Sequence, residues 1–282
     1  MINKLFKLTV FITLLINLSG CDFLLFDPKG PVAQEQMDLI IWSFLIMMIV
    51  VVPVIFMTFW FAIKYRASNT DAEYKPNWEH SNLIEAVVWS VPLIIIIVLG
   101  VITYKTSHSL DPRQPIESNQ KTLRIQVVSL DWKWLFIYPE QGIATVNEFA
   151  LPVDVPVEFL ITSDTVMNSF FVPQLGSMIY AMAGMENQLH LIADQEGVFR
   201  GMSSNYSGFG FSGMKFFAHA KSSADFEKWV NQVKATDNAL SKDAYQTLIQ
   251  KTKDHPIEYY SSVNPLLFNQ IIERYTRAQN GQ

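Results

Sequence analysis

The sequence of 282 residues contains one cysteine, Cys21. A single thiol excludes an intramolecular disulfide bond and any metal site that needs two thiolates from this chain. Charged residues are scarce, at 17% against about 25% in an average soluble protein. With 50% hydrophobic residues and a formal net charge of −5, the chain is neither typical of a disordered protein nor basic enough for a usual nucleic-acid-binding protein.

The first hydrophobic block lies at the N-terminus. Two lysines precede a short apolar run, Leu8–Ile16, and residues 18–20 then lead to Cys21. This layout predicts a secretory signal in residues 1–20, too short to span a membrane stably. The tetrad Leu-Ser-Gly-Cys at 18–21 resembles the lipobox of bacterial lipoproteins, which implies cleavage before Cys21 and lipidation of its thiol. The alternative is an uncleaved anchor with an incidental cysteine.

Two longer blocks predict transmembrane helices at residues 39–63 and 83–104. The first is a run of 25 residues without a charge, and the second contains an uncharged run of 19 residues, 86–104. At 1.5 Å per residue, these lengths suit a hydrocarbon core about 30 Å thick. Internal prolines, Pro53 and Pro92, are tolerated in membrane helices.

The charge distribution orients this hairpin. The connector, residues 64–82, carries three lysine or arginine residues, whereas Asp22–Asp38, most of the N-terminal segment 21–38, carries one. This bias favours a cytoplasmic connector, but residues 105–124 carry four basic residues, so the positive-inside rule alone does not decide the orientation. The predicted signal decides it, because a cleaved, exported N-terminus followed by two spans returns the chain to the outside. Everything after Tyr104 is then expected outside the cytoplasm.

The exported part changes character at about residue 220. Residues 105–220 contain short β-type runs with alternating apolar and polar residues, which predict an antiparallel β-sandwich. Residues 221–282 follow a helical pattern, with Ser223 and Ser241 as candidate N-caps and a last helix at Pro265–Arg277. The expected fold is a two-helix transmembrane hairpin, a β-sandwich and a helical C-terminal extension.

A lipoprotein signal, two spans and an exported β-sandwich together resemble subunit II of the heme–copper terminal oxidases. The segments FVPQLGSMIYAMAGMENQLHLIA, SNYSGFGFSGMKF and EYYSSVNPLLF resemble the quinol oxidases, most closely the cytochrome o ubiquinol type. The resemblance covers nearly the whole chain. It implies a cupredoxin-like sandwich in the periplasm of a bacterium, carried by a multi-pass lipoprotein of the inner membrane.

Copper-bearing members of this family hold a dinuclear copper centre with two cysteines, two histidines, a methionine and a glutamate carbonyl. The resemblance places these ligands at six positions of which one, Met214, keeps its identity. The histidine positions hold Asn168 and Phe211, the cysteine positions hold Ser203 and Ser207, and the glutamate position holds Asn205. A neutral serine hydroxyl does not replace a soft thiolate, so this chain is expected to bind no copper.

Glu85 is the sharpest candidate for a functional residue. It lies at the cytoplasmic end of the second span, where a carboxylate is costly unless it is hydrated or paired. The alternative is an interfacial residue stabilised by the helix dipole. The motif Glu85, Trp89, Pro92 resembles a family context in which this glutamate lies at the entrance of a proton pathway in subunit I.

The other candidates have structural interpretations. Trp132 and Trp134 are expected to pack in the sandwich core or against subunit I, and His190 and His219 to pack in strands. Three glycines at 208, 210 and 213 lack the strand–helix context and the lysine of a phosphate-binding loop. Four methionines, with His190, leave open a copper(I)-binding role: Met178, Met182, Met185 and Met214.

The resemblance implies a non-redox subunit of a ubiquinol oxidase, an oxidoreductase complex that reduces O₂ to water and moves protons outward. Hemes, copper and ubiquinol are expected in subunit I. The expected partners are subunits I, III and IV and membrane lipids, with no nucleic acid. Two alternatives stay open: menaquinol as the substrate of the complex, or a free-standing cupredoxin-like lipoprotein in copper handling or oxidase assembly.

Overall fold

The computed structural model describes residues 23–71, 73 and 75–279. The signal predicted in residues 1–20 and the lipidation predicted at Cys21 lie outside the described residues. The described chain begins with a short 3-10 turn, Leu24–Phe26. Two long helices follow, and then a sandwich with a C-terminal extension.

The two long helices are α1, Pro31–Lys64, and α2, Asn82–Ser109. Each carries an apolar stretch of 18 residues of which none is buried, as expected for a surface that contacts lipid or another protein. At 34 residues, α1 is about 51 Å long and therefore extends beyond a hydrocarbon core of about 30 Å.

Eleven strands form the sandwich, ten of them before the C-terminal extension. These ten are β1 Leu123–Leu130, β2 Lys133–Tyr138, β3 Ile143–Val146, β4 Glu148–Pro152, β5 Val157–Ser163, β6 Asn168–Val172, β7 Gly176–Ala181, β8 Asn187–Leu191, β9 Gly197–Ser203 and β10 Lys215–Lys221. The C-terminal extension contributes α3 Ser223–Lys234, β11 Ala239–Leu240, α4 Lys242–Leu248, β12 Glu258–Tyr260, β13 Ser262–Val263 and α5 Leu267–Gln279.

The strands form two principal sheets, in the orders β12-β3-β2-β1-β5-β8 and β4-β10-β9-β6-β7. The expectation of purely antiparallel strands is wrong at two places, because β1 pairs with β5 and β10 pairs with β4 in parallel. The parallel pairs arise because β4 belongs to the second sheet, so the chain leaves the first sheet after β3 and re-enters it at β5. The expected architecture of two apolar helices, a β-sandwich and a C-terminal helix is confirmed.

Aromatic side chains fill the space between the two sheets. The rings of Phe170 and Phe216 stack with their centroids 5.0 Å apart, and Trp134 meets both edge-on. Phe136 and Phe149 complete the cluster, 4.8 Å apart. All five side chains are buried, and such aromatic pairs stabilise a core beyond the area that they bury.

A second apolar cluster lies on the other face of the six-stranded sheet. Leu135 and Ile137 of β2 pack there against the extension, whose Leu240, Phe268 and Ile271 are buried. Strand β2 is consequently buried on both faces and shows no alternation of exposed and buried residues. The extension thus covers a sheet face that would otherwise contact water.

The helix termini follow local capping chemistry. Ser222, rather than the predicted Ser223, caps α3 and accepts a bond from the Asp225 amide at 3.2 Å. Ser241 caps α4 as predicted, accepting from the Ala244 amide at 3.2 Å. A serine oxygen at the N-cap satisfies an amide that has no partner within the helix.

The first turns of α1 fasten the hairpin to the sandwich. Gly176 of β7 has a φ of +104° and lies so close to α1 that a Cβ there would be 2.8 Å from the Ala33 nitrogen. Gln36 donates to the Ser177 hydroxyl at 3.2 Å, and its side-chain oxygen accepts from the Ser177 amide at 3.3 Å. These contacts fix α1 against the sandwich.

Candidate functional site

Glu85 lies in the first turn of α2, at the end of the helix that adjoins the polar connector. Its carboxylate is 55% exposed and its Oε1 lies 2.8 Å from Nδ1 of His80. The Glu85 amide donates to the Ser81 carbonyl at 2.9 Å, so regular helix begins at this point. A carboxylate in the first turn also interacts favourably with the helix dipole.

The contact with His80 gives the Glu85 carboxylate a hydrogen-bonding partner, which the helix dipole alone does not supply. An imidazole nitrogen can donate a hydrogen bond, and a carboxylate oxygen at this distance can accept it. Sequence reasoning singled out Glu85 but missed His80. The signal was available, because His80 directly precedes the N-cap Ser81 and the extended backbone there lets its ring turn back over the first helical turn.

Three of the positions at which the resemblance places copper ligands meet in one hydrogen-bonded group. The Ser203 hydroxyl lies within hydrogen-bond distance of Asn168 Oδ1, at 3.1 Å, and of the Asn205 carbonyl, at 3.3 Å. Asn168 Nδ2 in turn donates to the Val166 carbonyl at 3.1 Å. Asn168 and Ser203 are buried, so their polar atoms are satisfied mainly by each other and by backbone.

The remaining positions form a neighbouring group. Ser207 Oγ lies 4.0 Å from the sulfur of Met214, and Met214 is buried in the core. The indole of Trp132 donates to the Ser207 carbonyl at 3.0 Å. Phe211 meets Tyr206 edge-on, with ring centroids 5.6 Å apart.

These donors do not fit a dinuclear copper centre. The group offers hydroxyls, amides and one thioether, whereas copper in such a centre needs thiolates and imidazoles. Ser203, Asn168 and Asn205 already use their polar atoms in bonds to one another and to backbone. Within the described residues, no group of three or more His, Cys, Asp or Glu side chains is arranged to hold a metal ion.

The other residues singled out from the sequence are not part of these groups. His190 is buried with Nδ1 3.2 Å from the Pro112 carbonyl. Trp134 is buried in the aromatic core. Met178 and Met185 are exposed, unlike Met214. Packing therefore accounts for the histidine, the tryptophan and the buried methionine.

Lys133 is a buried cation that sequence reasoning missed. Its side chain is 0% exposed, and Nζ donates to the carbonyls of Leu248 and Gln250, both at 2.7 Å. Burial lowers the pKa of Lys133, and the charges of Asp131 and Glu258 partly oppose that shift. Both acceptors belong to the C-terminal extension, so the ammonium joins the extension to β2.

Glu148 is a buried anion at a second junction with the extension. The Tyr259 hydroxyl donates to its Oε1 at 2.7 Å, and Nε2 of His219 lies 3.3 Å from Oε2. Burial alone would raise the pKa of Glu148, but its bonds with His219 and Tyr259 outweigh burial and lower it. The carboxylate is therefore held in its charged form between β4, β10 and β12.

Two families match parts of the chain. Residues 140–220 match the family described as "Cytochrome C oxidase subunit II, periplasmic domain". Residues 234–279, most of the C-terminal extension, match the family described as "COX Aromatic Rich Motif". The first match covers β3–β10, and the second covers β11–β13 with the last two helices.

Several curated proteins are similar over most of their length. Cytochrome bo(3) ubiquinol oxidase subunit 2 of Pseudomonas aeruginosa is 60% identical over 92% of this chain and 78% of the relative. The protein of that name from Pseudomonas putida is 52% identical over 99% and 88%, respectively. Ubiquinol oxidase subunit 2 of Acetobacter aceti is 54% identical over 92% and 84%. The chain belongs to the ubiquinol oxidase subunit 2 family, whose members are subunits of an oxidoreductase complex.

Proposed function

We propose that this chain is subunit II of a terminal oxidase that oxidises ubiquinol, reduces O₂ to water and moves protons outward. The identity of 60% to a ubiquinol oxidase subunit 2, over 92% of the chain, is the main support. The chain itself carries no electrons, since its donor set does not fit copper. Subunit I holds the hemes, copper and ubiquinol, and subunits III and IV complete the complex.

Glu85 and His80 form the entrance of a proton pathway that continues in subunit I. The observation that supports this role is the 2.8 Å contact between the imidazole and the carboxylate. His80 takes up a proton from water at the cytoplasmic surface, and its Nδ1 passes a proton to Glu85 Oε1. Glu85 then releases the proton to an acceptor in subunit I. Exposure of both side chains gives water access to the first step.

Cys21 carries the lipid anchor of the mature chain in the bacterial inner membrane. The support for this part is the lipobox-like tetrad at residues 18–21 and the cysteine count of one. Lipidation anchors the new N-terminus at the periplasmic surface, close to the start of α1. The mass of the N-terminal peptide of the purified protein tests this assignment.

Purification through an affinity tag on this chain tests the assignment as an oxidase subunit. In mild detergent, the chain is expected to copurify with a large heme protein that consumes O₂ when ubiquinol is supplied. If the preparation oxidised menaquinol faster than ubiquinol, the substrate assigned to the complex would change to menaquinol. A heme-free and inactive preparation that binds copper(I) would overturn the assignment in favour of copper handling.

Substitution of Glu85 tests the proton entrance in the same preparation. Glu85→Ala is expected to lower turnover about tenfold with heme content unchanged, less than the 10² typical of a group that transfers a proton at the reacting atoms. His80→Gln is expected to lower turnover less, because the exposed Glu85 carboxylate keeps its own access to water.

Glu79→Gln is the matched control, because Glu79 is an exposed carboxylate on the connector, six residues before Glu85. It should leave turnover unchanged. Full turnover of Glu85→Ala in an assembled complex would show that Glu85 is only an interfacial residue.

A further inference from the structure

Two loops form one end of the sandwich, which we call the tip. The first tip loop, residues 164–167, connects β5 to β6, and the second, residues 204–214, connects β9 to β10. Asn205 Nδ2 donates to the Met167 carbonyl at 2.9 Å, which joins the two loops. Tyr206 and Phe209 are 75% and 81% exposed, so these rings add little packing that would hold the second loop in place.

Asp164, the first residue of the first tip loop, is bound by three side chains of the C-terminal extension. Its side chain is 1% exposed. Tyr245 donates its hydroxyl to the carboxylate at 2.5 Å, and Arg274 Nη1 lies 3.0 and 3.1 Å from the two carboxylate oxygens. The Tyr275 hydroxyl donates to the Asp164 carbonyl at 2.8 Å.

These bonds make the position of the loop depend on the extension. A buried carboxylate without partners is strongly unfavourable, and the donors to Asp164 come from α4 and α5. If the extension separates from the sandwich, Asp164 loses these three partners and is held by its backbone bond to the Ser129 carbonyl, so the first tip loop is less constrained. A bond outside the extension also holds this loop, because the Thr165 hydroxyl donates to Asp131, between β1 and β2, at 2.6 Å.

The extension also contacts the second tip loop. Lys253 places its ammonium 5.3 Å from the centroid of the Phe209 ring, within the range of a cation–π interaction. Gly213 lies against Asp254 so closely that a Cβ would collide with the carboxylate. On the opposite side, the indole of Trp132 occupies the space next to Gly210, where a Cβ would also collide.

We propose that the C-terminal extension, residues 221–279, is a clamp that holds both tip loops in one arrangement, and that Asp164 is the residue through which it holds the first loop. The clamp adds to the local bonds by which Ser163 and Asp131 also hold the first tip loop. It predicts that loss of the Asp164 contacts loosens the tip while the aromatic core stays intact.

Hydrogen exchange on the full-length chain within its purified complex tests the clamp. In Asp164→Asn, the amides of residues 165–168 and 205–213 should exchange about tenfold faster, whereas amides of β1 and β2 should change less than twofold. Tyr245→Phe is a milder variant that removes one donor and keeps the ring. It should give a smaller change in the same segments.

Arg277→Gln is the matched control, because Arg277 lies one turn after Arg274 on α5 and pairs with Glu273 in an exposed position. It should leave exchange in the tip unchanged. Unchanged tip exchange in Asp164→Asn would overturn the proposal. An equal acceleration in β1 and β2 would also overturn it, because Asp164 would then stabilise the whole sandwich rather than the tip.

Discussion

At the scale of single residues, three buried charged side chains join the sandwich to the C-terminal extension. Lys133, Glu148 and Asp164 all belong to the sandwich, and each takes partners from the C-terminal extension. None of the three stood out in the sequence, because a charged residue in a strand or a loop is usually solvated. By contrast, the donors at the positions where the resemblance places copper ligands could be judged from the sequence, since ligand chemistry depends on side-chain type.

Lys133→Met is expected to destabilise the protein. Methionine keeps most of the aliphatic stem but removes the ammonium, so the carbonyls of Leu248 and Gln250 lose a buried donor. An unsatisfied buried acceptor costs about 1–3 kcal/mol, and the free energy of unfolding should fall by about that amount. Denaturant titration of the purified chain measures the change.

Lys228→Met provides the comparison for that measurement. Lys228 is exposed and pairs with Asp225 on the surface of α3, so its loss should change the free energy of unfolding by less than about 0.5 kcal/mol. Equal or greater stability of Lys133→Met would mean that desolvation of the ammonium outweighs its two bonds.

At the scale of secondary-structure elements, four tyrosines of the extension form hydrogen bonds through their hydroxyls, three of them to residues of the sandwich. Burial, the largest cause, and neighbouring carboxylates raise the pKa of Tyr245, Tyr259 and Tyr260, and they raise the pKa of Tyr275 to about 12. All four hydroxyls donate to oxygen atoms of the chain, so the neutral phenol is the form that fits the folded state.

The extension should therefore loosen at alkaline pH. A phenol whose folded pKa is raised contributes stability that is complete below about pH 10, its unfolded pKa, and is lost as the pH rises through the folded value. For Tyr275 this window is about pH 10 to 12. Tyrosinate absorbance and near-ultraviolet circular dichroism should change together. Ionisation of all four tyrosines near pH 10 with native dichroism retained would contradict the assigned contacts.

The secondary-structure pattern was readable only in part. Alternation predicted strands such as β5, and both helical spans followed from uninterrupted apolar runs. The parallel pairing of β1 with β5 was not predicted, because it follows from the order in which strands enter two sheets. Likewise, α1 begins eight residues before the predicted span because its first turns pack against β7.

At the scale of the whole molecule, the two membrane helices expose a large apolar surface. The most apolar stretch of each helix contains no residue that is buried within this chain, and large side chains such as Phe56, Trp60 and Trp89 are exposed. Lipid or another subunit must cover these surfaces, since water does not tolerate exposed apolar area of this extent.

Photolabelling should distinguish helix surfaces that contact lipid from those that contact another subunit. With a lipid-soluble carbene reagent, the chain alone in bilayers should be labelled around both helices. In the purified complex, one face of each helix should lose its label because a partner subunit packs there. Sites are mapped by mass spectrometry and normalised to total labelling. The same labelling pattern in both preparations would mean that the hairpin contacts lipid on all sides even within the complex.

The sequence by itself determined the membrane hairpin, the strand-rich sandwich and the absence of a dinuclear copper donor set. Those properties depend on local hydrophobic pattern and on side-chain type, both of which are written in consecutive residues. Only the tertiary structure decided how Lys133 and Asp164 are satisfied. Their partners lie 81 to 117 residues away along the chain, and no local pattern specifies a contact between groups that meet only when the extension folds onto the sandwich.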